Sequence, residues 1–205
     1  MSTGARGRPR ASDSAATRAT IIEAARRAFA DHGYEATSLK AIAADAGLTA
    51  PAISHHFGSK RGLFVAVGTD AEQRLLAVLT AAVASADDFA SRLHALAQAA
   101  ARVHTEDPSI TGFLSIAQIE YRRRADPDTP PLQGPVVALL TRVVRDAAAA
   151  NEISSDADPG AVVALLLAMT LGVALYATVI DPEAANAVLV EFGRFVGGGL
   201  LVEAS

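Results

Sequence analysis

Residues Thr37–Lys60 read TSLKAIAADAGLTAPAISHHFGSK, and two short helical patterns joined by one glycine lie within them. Leu39, Ile42, Ala43 and Ala46 fall at i, i+3, i+4 and i+7, a single apolar stripe. Thr37 precedes the stripe as the expected N-cap, and Gly47 follows it where helices commonly end in a left-handed residue. A second pattern opens at Thr49, another good cap, and runs through Ala52, Ile53 and His56 to Phe57. Pro51 falls in its first turn, where the missing N–H loses no helical bond, and Gly58 stops it. Two helices of this size around a tight turn predict a helix-turn-helix, whose second helix can enter the DNA major groove.

Charge supports that reading once it is divided along the chain. The 205 residues carry a net −4, which by itself disfavours a nucleic-acid binder. Residues 1–62, however, hold 9 Lys/Arg against 5 Asp/Glu, net +4, and the remainder 9 against 17, net −8. The positive charge is gathered on the segment with the helix-turn-helix. Hydrophobic residues make up 51%, mostly Ala, Leu and Val, which favours packed helices; no alternating β-branched run argues for a strand.

The same periodicity extends outward. A helix is predicted from about Thr17 to His32, with Ile21, Ile22, Ala25, Ala28 and Phe29 inward and Arg18, Arg26 and Arg27 on a solvated face, where those nearest the groove can contact the DNA backbone. A long fourth helix opens at Ser59 and passes Ala82, a natural strut. Others follow at about Asp88–His104, Pro108–Arg124, to Ala150, Gly160–Ile180, and after Asp181-Pro182 to Val196. The Pro-rich run 126–135 and residues 151–159 read as connections. The fold class is therefore all-α. Residues 1–12 form a flexible basic arm, 13–62 a three-helix DNA-binding domain, and 63–205 a helical ligand-binding and dimerisation domain.

Several function classes drop out. With no cysteine there are no disulfides or thiolate metal sites. No metal motif, Gly-rich phosphate loop or argued catalytic triad is present, so an enzyme and a cofactor are not expected. His94 and His104 lie ten apart, so one helix face cannot offer both to a metal, and structural or pocket-lining roles are expected of them. The N-terminus lacks an apolar core for a secretory signal, and a cytoplasmic protein is expected. Val162–Ile180 approaches the length of a membrane span, but Asp156, Asp158, Asp181 and Glu183 bracket it without Lys, Arg or Trp anchors. A buried helix of a bundle is the reading.

Ala28-Phe29, Gly33-Tyr34, Thr37-Ser38, Ile42-Ala43, Ala46-Gly47-Leu48-Thr49, His56-Phe57, Ser59-Lys60 and Leu63-Phe64 occur in the order seen in one bacterial family. Over roughly residues 17–64 the chain resembles the TetR family of transcription regulators. Ser54 stands where that family commonly has a tyrosine, and Pro51 where it has a glycine, so the tyrosine's usual phosphate contact is not implied here. The resemblance implies a homodimer paired through its last two helices. It also implies a repressor that releases operator DNA when a small molecule binds the C-terminal domain. The rival reading is a helical small-molecule-binding protein or enzyme whose N-terminal helices merely pack.

Candidate residues follow from these expectations. For double-stranded operator DNA, His55 points toward the groove beside Ser54. Ala50 and Ala52 suit thymine methyls, and Thr49 a phosphate or base edge. Thr37, Ser38 and Lys60 are candidate phosphate positioners. Arg6, Arg8 and Arg10 lie on an arm whose Arg-Gly-Arg-Pro core resembles the AT-hook, a minor-groove motif. For a largely apolar effector, Phe89, Leu93, Phe113, Gln118, Tyr121, Met169 and Tyr176 are candidate pocket residues, with core packing as the alternative for each. For the dimer, Ala164, Ala168 and Gly172 recur every four residues as a smooth strip, and Val188, Phe192 and Phe195 lie on an apolar face.

Overall fold

Gly33, Gly47 and Gly58 have φ of 75°, 65° and 73°, and each marks a point where a helix stops. An L side chain is strained in that region, so these glycines fix the corners of the N-terminal part. The computed structural model describes residues 11–123, 134–176 and 185–196. Among the described residues there are helices and no strand. They are α1 (Ala11–Ala36), α2 (Leu39–Asp45), α3 (Ala50–Phe57), α4 (Lys60–Ala84), α5 (Phe89–Glu106), α6 (Pro108–Arg123), α7 (Gly134–Ala149), α8 (Pro159–Leu175) and α9 (Ala185–Val196). The chain divides into two compact units, Met1–Val67 and Gly68–Ser205.

The first unit packs Ile21, Ala25 and Phe29 of α1 with Ile42 of α2, Ile53 of α3 and Leu63, Phe64 and Val67 of α4, all buried. Burying one such side chain fully is worth about 1.5–3 kcal/mol. Phe64 meets Phe29 edge-on at 5.1 Å and Tyr34 edge-on at 5.0 Å between ring centroids.

Three expectations for this unit need correction. α1 is longer than predicted: it breaks at Gly33 and a further turn runs to Ala36. Thr37 does not cap α2. Its side chain is only 4% exposed, and its hydroxyl donates toward Gly33 O at 2.7 Å and Ala28 O at 3.1 Å. Gly33 O lies where α1 breaks, and Thr37 supplies a donor there. The cap is Ser38, whose hydroxyl oxygen accepts from Ala41 N–H at 3.1 Å. Arg26 is not on a solvated face either; it is 2% exposed and engaged in contacts. It stands four residues after Ile22 and three before Phe29, on the buried stripe.

In the second unit the core gathers Leu79 and Ala82 of α4, Leu96 and Ala99 of α5, Val136, Leu139, Leu140, Val143 and Val144 of α7, and Val163 of α8. Asp88 caps α5 by accepting from Ser91 N–H at 2.8 Å, and these bonds hold its carboxyl below the usual range. Glu152, from the α7–α8 connection, accepts from Phe89 N–H at 2.7 Å, so two carboxylates serve the start of α5. α7 ends through Asn151 at φ 58°, with Glu152 N–H bonded to Ala147 O and Asn151 N–H to Ala148 O. That is a Schellman closure with asparagine in the left-handed position.

α8 begins at its expected Asp158-Pro159 corner, with the Asp158 carboxylate accepting from Gly160 N–H at 3.0 Å. The predicted continuation to Ile180, the Asp181-Pro182 start of the last helix and the run 126–133 lie outside the described residues. Among the described residues no helix is long and apolar enough to cross a membrane.

Candidate nucleic-acid interface

α2 and α3 are joined by Ala46-Gly47-Leu48 and capped at both inner ends. Leu48 N–H reaches Ala43 O at 2.8 Å and Gly47 N–H reaches Ala44 O at 3.2 Å, a second Schellman closure. Thr49 then caps α3, its hydroxyl oxygen accepting from Ala52 N–H at 3.4 Å. The chain thus leaves one helix and enters the next with its end groups bonded. That rigidity sets where the side chains of α3 point.

Ile53 is fully buried, and its side of α3 faces the core. The opposite side carries Pro51, Ser54 and His55, all exposed, with exposed Thr49 at the start of the helix. Proline offers no donor, so Ser54 and His55 supply the polar groups of this face. Ala50 and Ala52 are half-buried on its flanks. His56 is half-buried beside Phe57, with ring centroids 6.2 Å apart.

The corner between α3 and α4 is equally constrained. Gly58 N–H bonds Ser54 O at 2.8 Å, and the Ser59 hydroxyl accepts from Gly62 N–H at 3.0 Å to cap α4. A Cβ on Gly62 would collide with the Phe57 carbonyl oxygen, so only glycine permits this close approach. Lys60 sits over the Tyr34 ring at 4.4 Å and donates to Glu35 O at 3.2 Å.

The candidate DNA set is therefore brought together unevenly. Ser38, Thr49, Ser54 and His55 are exposed, and Lys60 is half-exposed. Thr37 is withdrawn, because its buried hydroxyl is already bonded to two backbone carbonyls. Arg6, Arg8 and Arg10 lie outside the described residues. Arg18, one of the three α1 arginines read as solvated or as backbone contacts if near the groove, is exposed, with its guanidinium 4.5 Å from the centroid of the Phe57 ring.

The pocket candidates are less of a unit. Phe89 and Leu93 pack against the core of α4, α5, α7 and α8, which is the packing alternative for both. Phe113 is buried on α6, Gln118, Tyr121 and Met169 are half-buried, and Tyr176 is exposed at the end of α8. His104, read from the sequence as a structural or pocket-lining residue rather than a metal ligand, has a defined place. It is buried, its Nδ1 lies 2.6 Å from Thr111 Oγ1, and desolvation lowers its pKa. Among the described residues no group of three or more metal-ligating side chains is placed to hold an ion.

The dimer candidates on α8 form one exposed apolar stripe. Ala161, Ala164, Leu165, Ala168, Leu171 and Gly172 are all exposed, Leu165 by 58%. On α9, Phe195 is 53% exposed and Val188 half-buried, while the Phe192 side chain lies outside what is described.

Residues 21–67 match the family described as bacterial regulatory proteins, tetR family. The chain is 39% identical over 64 residues to the HTH-type transcriptional repressor AcnR of Corynebacterium glutamicum, a stretch covering 31% of this chain and 34% of that one. It is 32% identical over 113 residues to AcnR of Corynebacterium efficiens, 55% of this chain and 53% of that one. The likeness thus spans a third to about half the length of these relatives. In fold it extends further: the fatty acid degradation regulator FadR of Bacillus halodurans superposes with TM-score 0.77 at 17% identity, covering 90% of this chain and 96% of that one.

Proposed function

We propose that this chain, whose residues 21–67 match the tetR family of bacterial regulatory proteins, acts as a homodimeric, ligand-responsive repressor of transcription. The observation that carries the reading is α3, held by caps at both sides of the turn and exposing Thr49, Ser54 and His55 away from buried Ile53. On this reading Ser54 and His55 meet base edges in the major groove. Ser38 and Lys60 hold the backbone and set register. The arm with Arg6, Arg8 and Arg10 adds minor-groove contact beside it.

The second unit receives the effector and pairs two copies through α8 and α9. A small molecule can release DNA only by binding one conformation more tightly than the other. The effector proposed is small and largely apolar, met by the half-buried Gln118, Tyr121 and Met169.

The test is binding to the duplex upstream of the protein's own gene, at several salt concentrations. His55→Ala should blur preference at one or two base pairs. Lys60→Ala should weaken all sequences alike and reduce the salt slope by about one. Unchanged affinity and preference in His55→Ala would reject α3 as the reading helix. For the arm, deletion of residues 1–10 should cost more on an A·T-rich flank than on a G·C-rich one; equal losses leave only a charged tail.

A further inference from the structure

Of the three arginines on α1, two are committed within the fold. Arg26 is buried, and Arg27 pairs with Glu23 at 2.7 Å and with Asp45 at 3.5 Å. Arg18 is different: it is exposed, and its guanidinium carbon lies over the Phe57 ring, 4.5 Å from the centroid. Phe57 is the last residue of α3, one position before the left-handed Gly58. A guanidinium stacked on a ring uses its face for the ring and keeps its in-plane N–H donors directed outward. Those donors match the oxygens of a phosphate, which guanidinium can bind through two parallel bonds.

We infer that Arg18 is a DNA-backbone contact contributed by α1, positioned by stacking on Phe57 at the end of the reading helix. The arrangement repeats at the start of α4, where Lys60 rides on Tyr34. Tyr34 is itself fixed, stacked on Phe29 at 5.9 Å and edge-on to Phe64 at 5.0 Å. Each cation is thus seated on a ring that belongs to the packed body of the first unit. Seating removes rotamer freedom from a long side chain before DNA arrives, so less is lost on contact. It also ties the phosphate register on α1 to the placement of α3, because the ring that holds Arg18 is part of that helix.

This role rests on the DNA-reading assignment of α3, and the experiment separates the two. Binding to the upstream duplex and to an unrelated duplex of equal length is measured from about 50 to 200 mM salt, the range over which phosphate contacts register. Arg18→Gln should weaken both duplexes by a similar factor, roughly three- to tenfold at low salt, and lower the slope of log affinity against log salt by about 0.9. Arg18→Lys should restore the slope but only part of the affinity, since a point charge replaces the seated fork. Phe57→Leu keeps the charge and removes the seat. Its loss should be non-additive with Arg18→Gln, the double variant binding about as Arg18→Gln alone. Thermal melts of each variant check that folding is intact. If Arg18→Gln melts differently yet keeps affinity and slope, Arg18 is a packing residue and the inference falls, with the α3 assignment untouched. If the unaltered protein binds neither duplex, both fall.

Discussion

A β-carbon on Gly47 would meet nothing within 4 Å, whereas one on Gly62 would strike the backbone carbonyl of Phe57. The two glycines are thus required for different reasons, and their substitutions should read differently. Gly47→Ala pays only for the left-handed conformation at φ 65°, so unfolding free energy should drop by about 1–2 kcal/mol while DNA affinity of the folded protein holds. Gly62→Ala sits inside a helix, where the exchange ordinarily stabilises by about 1 kcal/mol. Here it must push α4 off Phe57, displacing Lys60, so affinity should fall. A Gly62→Ala protein more stable than its parent with unchanged affinity would contradict the collision. Thr37→Val keeps the shape but strips the donor from Gly33 O and Ala28 O, and should cost about 1–3 kcal/mol in urea melts. The sequence pointed to a cap near this position. Thr37 and Ser38 are neighbours with the same hydroxyl, and only the α1 carbonyls left by Gly33 decide which turns inward.

Between α5 and α6 the deciding contact is polar. His104 is buried with Nδ1 2.6 Å from Thr111 Oγ1, Thr111 Oγ1 also donates to Pro108 O at 3.2 Å, and the Ser115 hydroxyl donates to Thr111 O at 2.8 Å. Desolvation lowers the imidazole pKa, so the folded protein holds this histidine neutral where the unfolded chain takes up a proton. The unfolded state then binds more protons below about pH 6.5, the ordinary histidine value, and stability falls as pH drops through that point. The slope from one such group cannot exceed about 1.4 kcal/mol per pH unit. Urea midpoints from pH 8 to pH 5 should decline less steeply in His104→Asn than in the parent; parallel curves would show that His104 does not titrate on unfolding. The helices themselves were readable from 3.6-residue periodicity and from caps such as Thr49, Asp88 and Asp158, because those signals are local. The burial of Arg26 was not. A charged residue on an apolar stripe reads as solvated until its neighbours are known, and those come from other helices.

The stripe Ala161, Ala164, Leu165, Ala168, Leu171 and Gly172 was legible as a smooth surface, but its exposure was not, since core and interface are written in the same residues. An exposed apolar row of this kind, joined by Val190 and Phe195 on α9, each more than half exposed, calls for a covering surface. On the dimeric reading a second copy related by a two-fold axis covers it with the same residues, and a DNA site with half-sites about 34–36 Å apart is expected. Gly172 provides a test that separates partner from fold. Among the described residues its Cβ would meet nothing within 4 Å, so a larger side chain has room there. In a helix that ends in monomer, Gly172→Leu should stabilise by about 0.8–1.0 kcal/mol through propensity alone. In a helix pressed against its twin, the same change forces the pair apart. The expected outcome is therefore a lower melting temperature that rises with protein concentration, a shift toward monomer mass in light scattering, and loss of affinity for two half-sites but not for one. Leu165→Asp should act in the same direction by placing a charge in the apolar seam. A Gly172→Leu protein that melts higher than the parent, at the same mass and with the same affinity for both duplexes, would leave α8 without a partner.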